Sequence, residues 1–198
     1  MIYLKASFIK RILAFLIDSF ILSIVFTVIT INFNDNSDNI SNKLMETLEQ
    51  YQNNEITMEE YTDSVVDSNY QLQKSSVPTN ALQVVLYVGY FIVFGYLNKG
   101  QTVGKKLCKI KVVNKDGNLP SVWNMIVRSL LIYGIFTLLY SIVFVNILDK
   151  YIFTYGYMLI DYITVIFVMI AFFMILYRKD GRGLHDVIAR TYVIEEVK

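Results

Sequence analysis

Four long apolar stretches with almost no charge dominate this sequence. They run from Phe8 to Ile31, interrupted by Asp18; from Ala81 to Leu97, the shortest; from Val122 to Asn146, containing Arg128; and from Tyr157 to Tyr177, containing Asp161. In hydrocarbon every backbone N–H and C=O must be satisfied within its own segment, so apolar runs of about 18 residues or more are read as membrane-spanning helices. The sequence therefore predicts an all-α, polytopic membrane protein with four transmembrane helices. Composition agrees, with 55% hydrophobic and 18% charged residues, against about 45–50% and about 25% in soluble domains. Basic residues precede the first stretch, as in a secretory signal. However, the stretch is long, carries Asp18 at mid-depth and is followed by Asn and Asp, not by a small-residue cleavage site, so it is expected to persist as a span.

Loop charge sets the expected orientation. Lys5, Lys10 and Arg11 stand at the first span. Lys99, Lys105, Lys106, Lys109, Lys111 and Lys115 lie between the second and third, and Arg178, Lys179, Arg182, Arg190 and Lys198 follow the fourth. That places fourteen of the 18 basic residues on one side, with Lys43, Lys74 and Lys150 on the other. The positive-inside rule then puts both termini and the middle loop in the cytoplasm of a multi-pass cell-membrane protein. The formal net charge of +1 argues against a nucleic-acid partner. One cysteine and one histidine leave no basis for a disulfide framework or a protein-built zinc site. No nucleophile–base set is visible, so no enzyme activity, metal or cofactor is expected.

Residues 32–80 form an acidic island with nine Asp/Glu and two Lys. Asn32–Asn42 reads as loop. Leu44, Leu48 and Tyr51 recur at helical spacing, and Thr57 with Glu60 forms the pattern of a capping box before Met58, Tyr61, Val65 and Leu72. The expectation is an extracytoplasmic helical insertion, either packed on the bundle or offered to a protein partner. In the middle loop, Lys109-Ile110-Lys111-Val112 alternates and then turns at Asn114-Lys115-Asp116-Gly117, which reads as a strand and a hairpin turn. Thr191-Tyr192-Val193-Ile194 has similar strand character, so two short cytoplasmic β-like segments are available to pair. Gly100 to Lys105 is not a phosphate loop, because the glycine spacing is one residue short and Lys106 stands where Ser/Thr should hold magnesium. The loop lysines are expected at the anionic inner leaflet.

An ionised group at the centre of a span costs about 2.5–3.5 kcal/mol on insertion scales and normally finds a partner. Arg11 and Asp18 are two helical turns apart, about 10 Å of rise, too far for a direct pair. Arg128 enters its span from the same side to a depth like that of Asp18, so a buried Asp18–Arg128 pair is expected. Asp161, about four residues below the outer end of its span, reads as an interfacial acid, with a second ion-pathway site as the alternative. The run from Arg178 to Asp186 gathers Arg182, Gly181, Gly183 and the lone His185 at the inner face. His185 with Asp186 offers a proton-handling pair near neutral pH, or a structural anchor.

These elements together resemble the RDD family of bacterial membrane proteins. The resemblance rests on Arg11 and Asp18 in the first helix; Thr102-Val103-Gly104-Lys105 and Lys111-Val112-Val113 in the loop; the Gly117 turn and Arg128; and Gly183-Leu184-His185-Asp186 with Ala189, Thr191 and Val193. It covers nearly the whole chain apart from 32–80. The arginine and two aspartates that name the family correspond to Arg11, Asp18 and Asp186. The resemblance implies a transport role, some members being suggested sodium/proton antiporters. Asp18 would then be the exchanging carboxylate, with Arg128 tuning it and Asp186 and His185 at the cytoplasmic mouth. A protein with four helices would need a homodimer for a substantial pathway. The alternative is a non-catalytic membrane accessory or scaffold that binds a partner through the 32–80 hairpin or the basic loop.

Overall fold

The computed structural model describes residues 4–31, 33 and 37–196. Helices begin where the sequence offers an oxygen to their free N–H groups. Helix α1 (Phe8–Thr30) starts at Ser7, whose Oγ accepts from the Lys10 amide at 3.4 Å. Helices α2 (Ser37–Gln52) and α3 (Met58–Ser75) form the hairpin of the acidic island. The capping box is present: the Glu60 amide donates to Thr57 Oγ1 at 3.2 Å, and the Thr57 amide donates to Glu60 Oε2 at 2.8 Å. The loop expected over 32–42 is overturned from Ser37 onward, where α2 begins. Ile40 extends the Leu44–Leu48 stripe back by one turn, which gives the polar run an apolar face. Asn32 and residues 34–36 lie outside the described residues.

Helix α4 (Val77–Tyr87) runs through a π-helical stretch, Val88–Phe94, into the short α5 (Gly95–Leu97). Then follow α6 (Val103–Leu107), β1 (Ile110–Val113), α7 (Val122–Ile132), α8 (Ile135–Phe144), α9 (Lys150–Tyr177), α10 (Leu184–Ile188) and β2 (Tyr192–Glu195). The two strands pair antiparallel, from Ile110 opposite Glu195 to Val113 opposite Tyr192. The turn after β1 is built as expected. Asn114 Oδ1 accepts from the amides of Asp116 and Asn118 at 2.9 Å, and Gly117 takes φ +80°. It does not return as a second strand, however; it leads into α7, whose N-terminus is capped by Ser121.

Among the described residues, three helical segments are long and apolar enough to cross a membrane: Phe8–Thr30, Val77–Leu97 and Lys150–Tyr177. The expected third span is not one straight helix. It breaks between α7 and α8, where Gly134 has φ +66°, and the two arms are bent by 80°. At 1.5 Å per residue each arm is about 15–17 Å long, roughly half of a hydrocarbon core of about 30 Å. The count is therefore three spans, or four if the bent pair is taken as one. The last span also starts earlier than predicted, at Lys150 instead of Tyr157, and has 28 residues. Large apolar side chains along it, among them Leu159, Ile163, Ile166, Met169 and Phe173, are exposed. That is the pattern of a helix solvated by lipid, since in water such a surface would be buried.

The chain divides into two compact units. One comprises the described residues of 1–31, 83–135 and 163–198, and the other those of 32–82 and 136–162. The first packs Ala6, Ala14, Ile92, Ile110, Val112, Met125 and Val193 into its core, so the strand pair is part of the same apolar cluster as α1 and α7. In the second, α2 and α3 are joined by stacked Tyr51 and Tyr61, 4.9 Å between ring centroids, and by the Thr47 and Ser64 hydroxyls at 3.2 Å. Tyr70 Oη donates to the Val145 carbonyl at 2.7 Å, and Ser141 Oγ bonds Gln73 and Asn80.

Candidate functional site

Two buried carboxylates organise the first unit. Asp18 lies on the inner face of α1 and is 1% exposed. Its Oδ1 accepts from Tyr90 Oη at 2.6 Å and from the Gly104 amide at 2.7 Å, and its Oδ2 accepts from Thr102 Oγ1 at 2.5 Å. One carboxylate thus ties α1 to the π-helical stretch and to the start of α6. Gly104 is what lets α6 come this close: a Cβ there would run into the Ala14 carbonyl oxygen and the Asp18 carboxylate.

The second carboxylate is Asp186, on α10, completely buried. Its Oδ2 accepts from Arg11 Nη1 at 3.0 Å and from the Gly183 amide at 3.2 Å. Its Oδ1 is ion-paired with Arg128 Nη1 and accepts from Thr191 Oγ1 at 3.4 Å. Arg128 Nη1 also donates to Thr191 Oγ1, at 3.3 Å, and Arg11 Nη2 to the Val193 carbonyl at 3.2 Å. The expected Asp18–Arg128 pair is therefore replaced by an Arg11–Asp186–Arg128 triad, with Asp18 held by neutral donors. Equal depth in the membrane did not decide the partner. Helix α10 brings a third element, and its carboxylate takes both guanidinium groups.

His185 is buried beside this triad, its Nε2 3.5 Å from Asp186 Oδ1. Burial, with Arg128, Arg11 and Lys105 nearby, pushes its pKa well below the usual histidine value. That favours its neutral form, in keeping with the structural anchor, the second of the two roles the sequence offered. Lys105 is also buried, not lying at a leaflet surface as expected for the loop lysines. Burial first, and repulsion from Arg128, bring its pKa down to about 7, partly offset by attraction to Asp18. Arg182 stays at the edge: it bonds Asp180 at 2.8 Å and lies over the Tyr192 ring at 4.4 Å. Arg178 and Arg182 together hold the Asp180 carboxyl far below the usual carboxylate range. Gly183 packs its backbone where a Cβ would meet the His185 ring, the Ala171 carbonyl and Ile175.

The arginine and two aspartates singled out from the sequence thus fall into two nodes, Arg11 with Asp186 and Asp18 by itself among neutral donors. The RDD family profile matches residues 5–190. The chain belongs to the RDD family. It is 32% identical over 125 residues to the uncharacterized protein YckC of Bacillus subtilis (strain 168), a match covering 63% of this chain and 67% of that protein. No solved structure matches.

For this RDD-family membrane protein, three site residues were missed in the sequence. Thr102 and Thr191 sit inside the segments that carry the family resemblance and were open to notice as donors flanking Gly104 and Asp186. Tyr90 gave no signal, being one of fifteen tyrosines. Asp161 belongs to the second unit, where it lines a cavity of about 210 Å³ with Asn69, Gln73 and Tyr157. It stands sixteen residues before the end of α9, about 24 Å along the helix, so a span counted from Tyr177 leaves it near the far boundary of the hydrocarbon. In the first unit, a cavity of about 200 Å³ is lined by Arg11, Asp18, Lys105, Arg128 and His185 on one side, with Phe8, Phe172 and Ile175 among the apolar residues on the other.

Proposed function

We propose that this protein is a transport-type membrane protein that exchanges a monovalent cation for a proton at Asp18. The observation that carries the reading is the pair of hydroxyls on the Asp18 carboxylate, Tyr90 Oη at 2.6 Å and Thr102 Oγ1 at 2.5 Å. A hydroxyl both donates and accepts. With their hydrogens turned away, these two oxygens and the carboxylate form an oxygen set suited to a hard cation. Protonation of Asp18 removes the charge that holds the cation, so the proton and the cation exclude one another. The Gly104 amide keeps the carboxylate in place in both states. The working unit is a homodimer, because a single set of helices gives a thin pathway. Both termini face the cytoplasm, an orientation supported by the basic residues gathered there. No catalytic step, cofactor or nucleic-acid partner enters this reading.

Purified protein in vesicles containing a pH dye tests it. An imposed sodium or potassium gradient should drive proton flux, Asp18→Asn should abolish it, and Thr102→Val should slow it with the fold intact. Folded protein without any such flux overturns the exchanger. A second reading, a scaffold that captures a protein partner through the 32–80 hairpin, is favoured by the nine acids against two lysines in that segment. Deleting 35–76 separates the two: a scaffold loses its partner, whereas an exchanger keeps its flux.

A further inference from the structure

The cavity between α1 and α9 has a charged floor whose charges do not balance. Arg11, Arg128 and Lys105 stand against Asp18 and Asp186. Asp186 takes one end of each guanidinium, and the Asp18 oxygens are already filled by Tyr90, Thr102 and Gly104. Among the described residues, the Lys105 ammonium makes no hydrogen bond or ion pair and is attracted only at a distance by Asp18. The Nε atoms of Arg11 and Arg128 also lack partners, on side chains only 9% and 7% exposed. Buried N–H donors are nearly always satisfied, and each orphan asks for an explanation. His185 Nδ1 is likewise buried without a partner. These residues and Lys105 line one cavity, and with one positive charge in excess they call for a single anionic group.

The opposite wall says where that anion comes from. Phe8, Val168, Phe172 and Ile175 line it, and Val168 and Phe172 are exposed on α9, a helix apolar enough to cross a membrane. An inorganic anion arriving from water gains nothing from such a wall, whereas an amphiphile gains at both ends. We propose that this cavity holds the phosphate of an anionic phospholipid, with Lys105, Arg11 and Arg128 as its basic residues and the phenylalanine wall against its acyl chains. Its volume of about 200 Å³ is below the roughly 300–1,000 Å³ of pockets that enclose a whole small molecule. The head is therefore enclosed while the chains remain in the bilayer. This is a defined site, unlike the diffuse attraction of loop lysines to a charged leaflet.

The test uses delipidated full-length protein in neutral detergent, titrated with dioctanoyl phosphatidylglycerol, dioctanoyl phosphatidylcholine or inorganic phosphate, with occupancy read by native mass spectrometry. Phosphatidylglycerol should bind at least tenfold more tightly than either of the others. Lys105→Met should cost about tenfold for phosphatidylglycerol and leave phosphatidylcholine unchanged. Ile175→Trp keeps every charge but fills the wall, and should abolish binding. Thermal melting reports the fold of each variant, and if Lys105→Met does not fold, Ile175→Trp decides alone. Equal binding of the two lipids, phosphate binding as tightly as phosphatidylglycerol, or unchanged affinity in the folded variants would each overturn the proposal. No ion gradient is involved, so the outcome is independent of the exchange reaction.

Discussion

Asp186 in the first unit and Asp63 in the second are both carboxylates held by basic side chains, yet they differ in what surrounds them. Asp186 is fully buried between Arg11 and Arg128. The Asp63 side chain is 48% exposed and accepts from Lys150 Nζ at 2.6 Å and Tyr151 Oη at 2.5 Å. By distance alone the exposed pair is as good as the buried Arg11 contact at 3.0 Å. Energetically they are unlike. Water and salt compete for an exposed pair, whose worth is small whatever its length. Breaking a buried pair leaves a charge that neither water nor protein can satisfy. The first unit thus uses its charges to fix where α1, α7 and α10 meet, and the second uses them on a surface that α3 and α9 would present anyway.

The largest expected effect is therefore at Asp186. Asp186→Ala leaves two buried guanidinium groups facing each other, and should destabilise the protein by about 3–5 kcal/mol. Unfolding in detergent micelles measures it. The triple replacement Arg11→Met, Arg128→Leu and Asp186→Leu should recover most of that loss, because apolar groups of similar volume need no partner. If Asp186→Ala costs no more than Asp63→Ala, the contrast between the two units disappears.

Glycines sharpen the contrast at a smaller scale. A Cβ at Gly104 in the first unit meets the Ala14 backbone carbonyl and the locked Asp18 carboxylate, neither of which can move aside. In the second unit a Cβ at Gly156 meets the hydroxyl end of Tyr140, a side chain held by one 3.3 Å hydrogen bond to the Phe153 carbonyl and by ring packing, not by backbone or a buried charge. Gly104→Ala should cost about 1–3 kcal/mol and Gly156→Ala about 1 kcal/mol or less, read from thermal melting of the purified variants.

What the sequence revealed divides along similar lines. The Thr57–Glu60 capping box, the Asn114 turn and the alternating strands are local patterns, and each formed where the residues indicated. The Asp18–Arg128 pairing was wrong because depth along two helices says nothing about a third element, and only the fold shows α10 reaching both arginines. The break at Gly134 was hidden because glycine is tolerated within membrane helices, and nothing in the flanking apolar residues marks its positive φ. The burial of Lys105 was also hidden: it follows from the close approach that Gly104 permits between α6 and α1, a contact with no local signature. Membership of the RDD family was legible because it depends on the order of the motifs and not on their contacts.

Titration separates the units further. His185 and Lys105 both have lowered pKa values in the folded first unit. Below about 6.5, the reference value for histidine, the unfolded chain takes up a proton that folded His185 refuses, so stability falls as pH drops. From about 7, the folded Lys105 value, up to about 10.4, the unfolded chain again holds the extra proton and stability rises with pH. Each contributes at most about 1.4 kcal/mol per pH unit. Melting temperatures between pH 5 and pH 10 should therefore climb. Lys105→Met should flatten the alkaline part and His185→Gln the acid part. A flat profile in the wild-type protein would mean that neither group is as buried as the structure places it.

The smallest effect is expected at Asp63. Its pKa is lowered by hydrogen bonds from Lys150 and Tyr151, so its contribution is present above the unfolded carboxylate value of about 3.9 and is lost as pH falls through the lower folded value. Across neutral pH, Asp63→Asn should be indistinguishable from wild type, and a double-mutant cycle with Lys150→Met should give no resolvable coupling at physiological salt. Lowering the ionic strength should bring a small coupling into view, because the Debye length grows from about 8 Å at 0.15 M to about 30 Å at 0.01 M. A coupling that persisted unchanged in high salt would mean that the pair is shielded from solvent, and Asp63 would then belong with Asp186 as a structural node of its own unit.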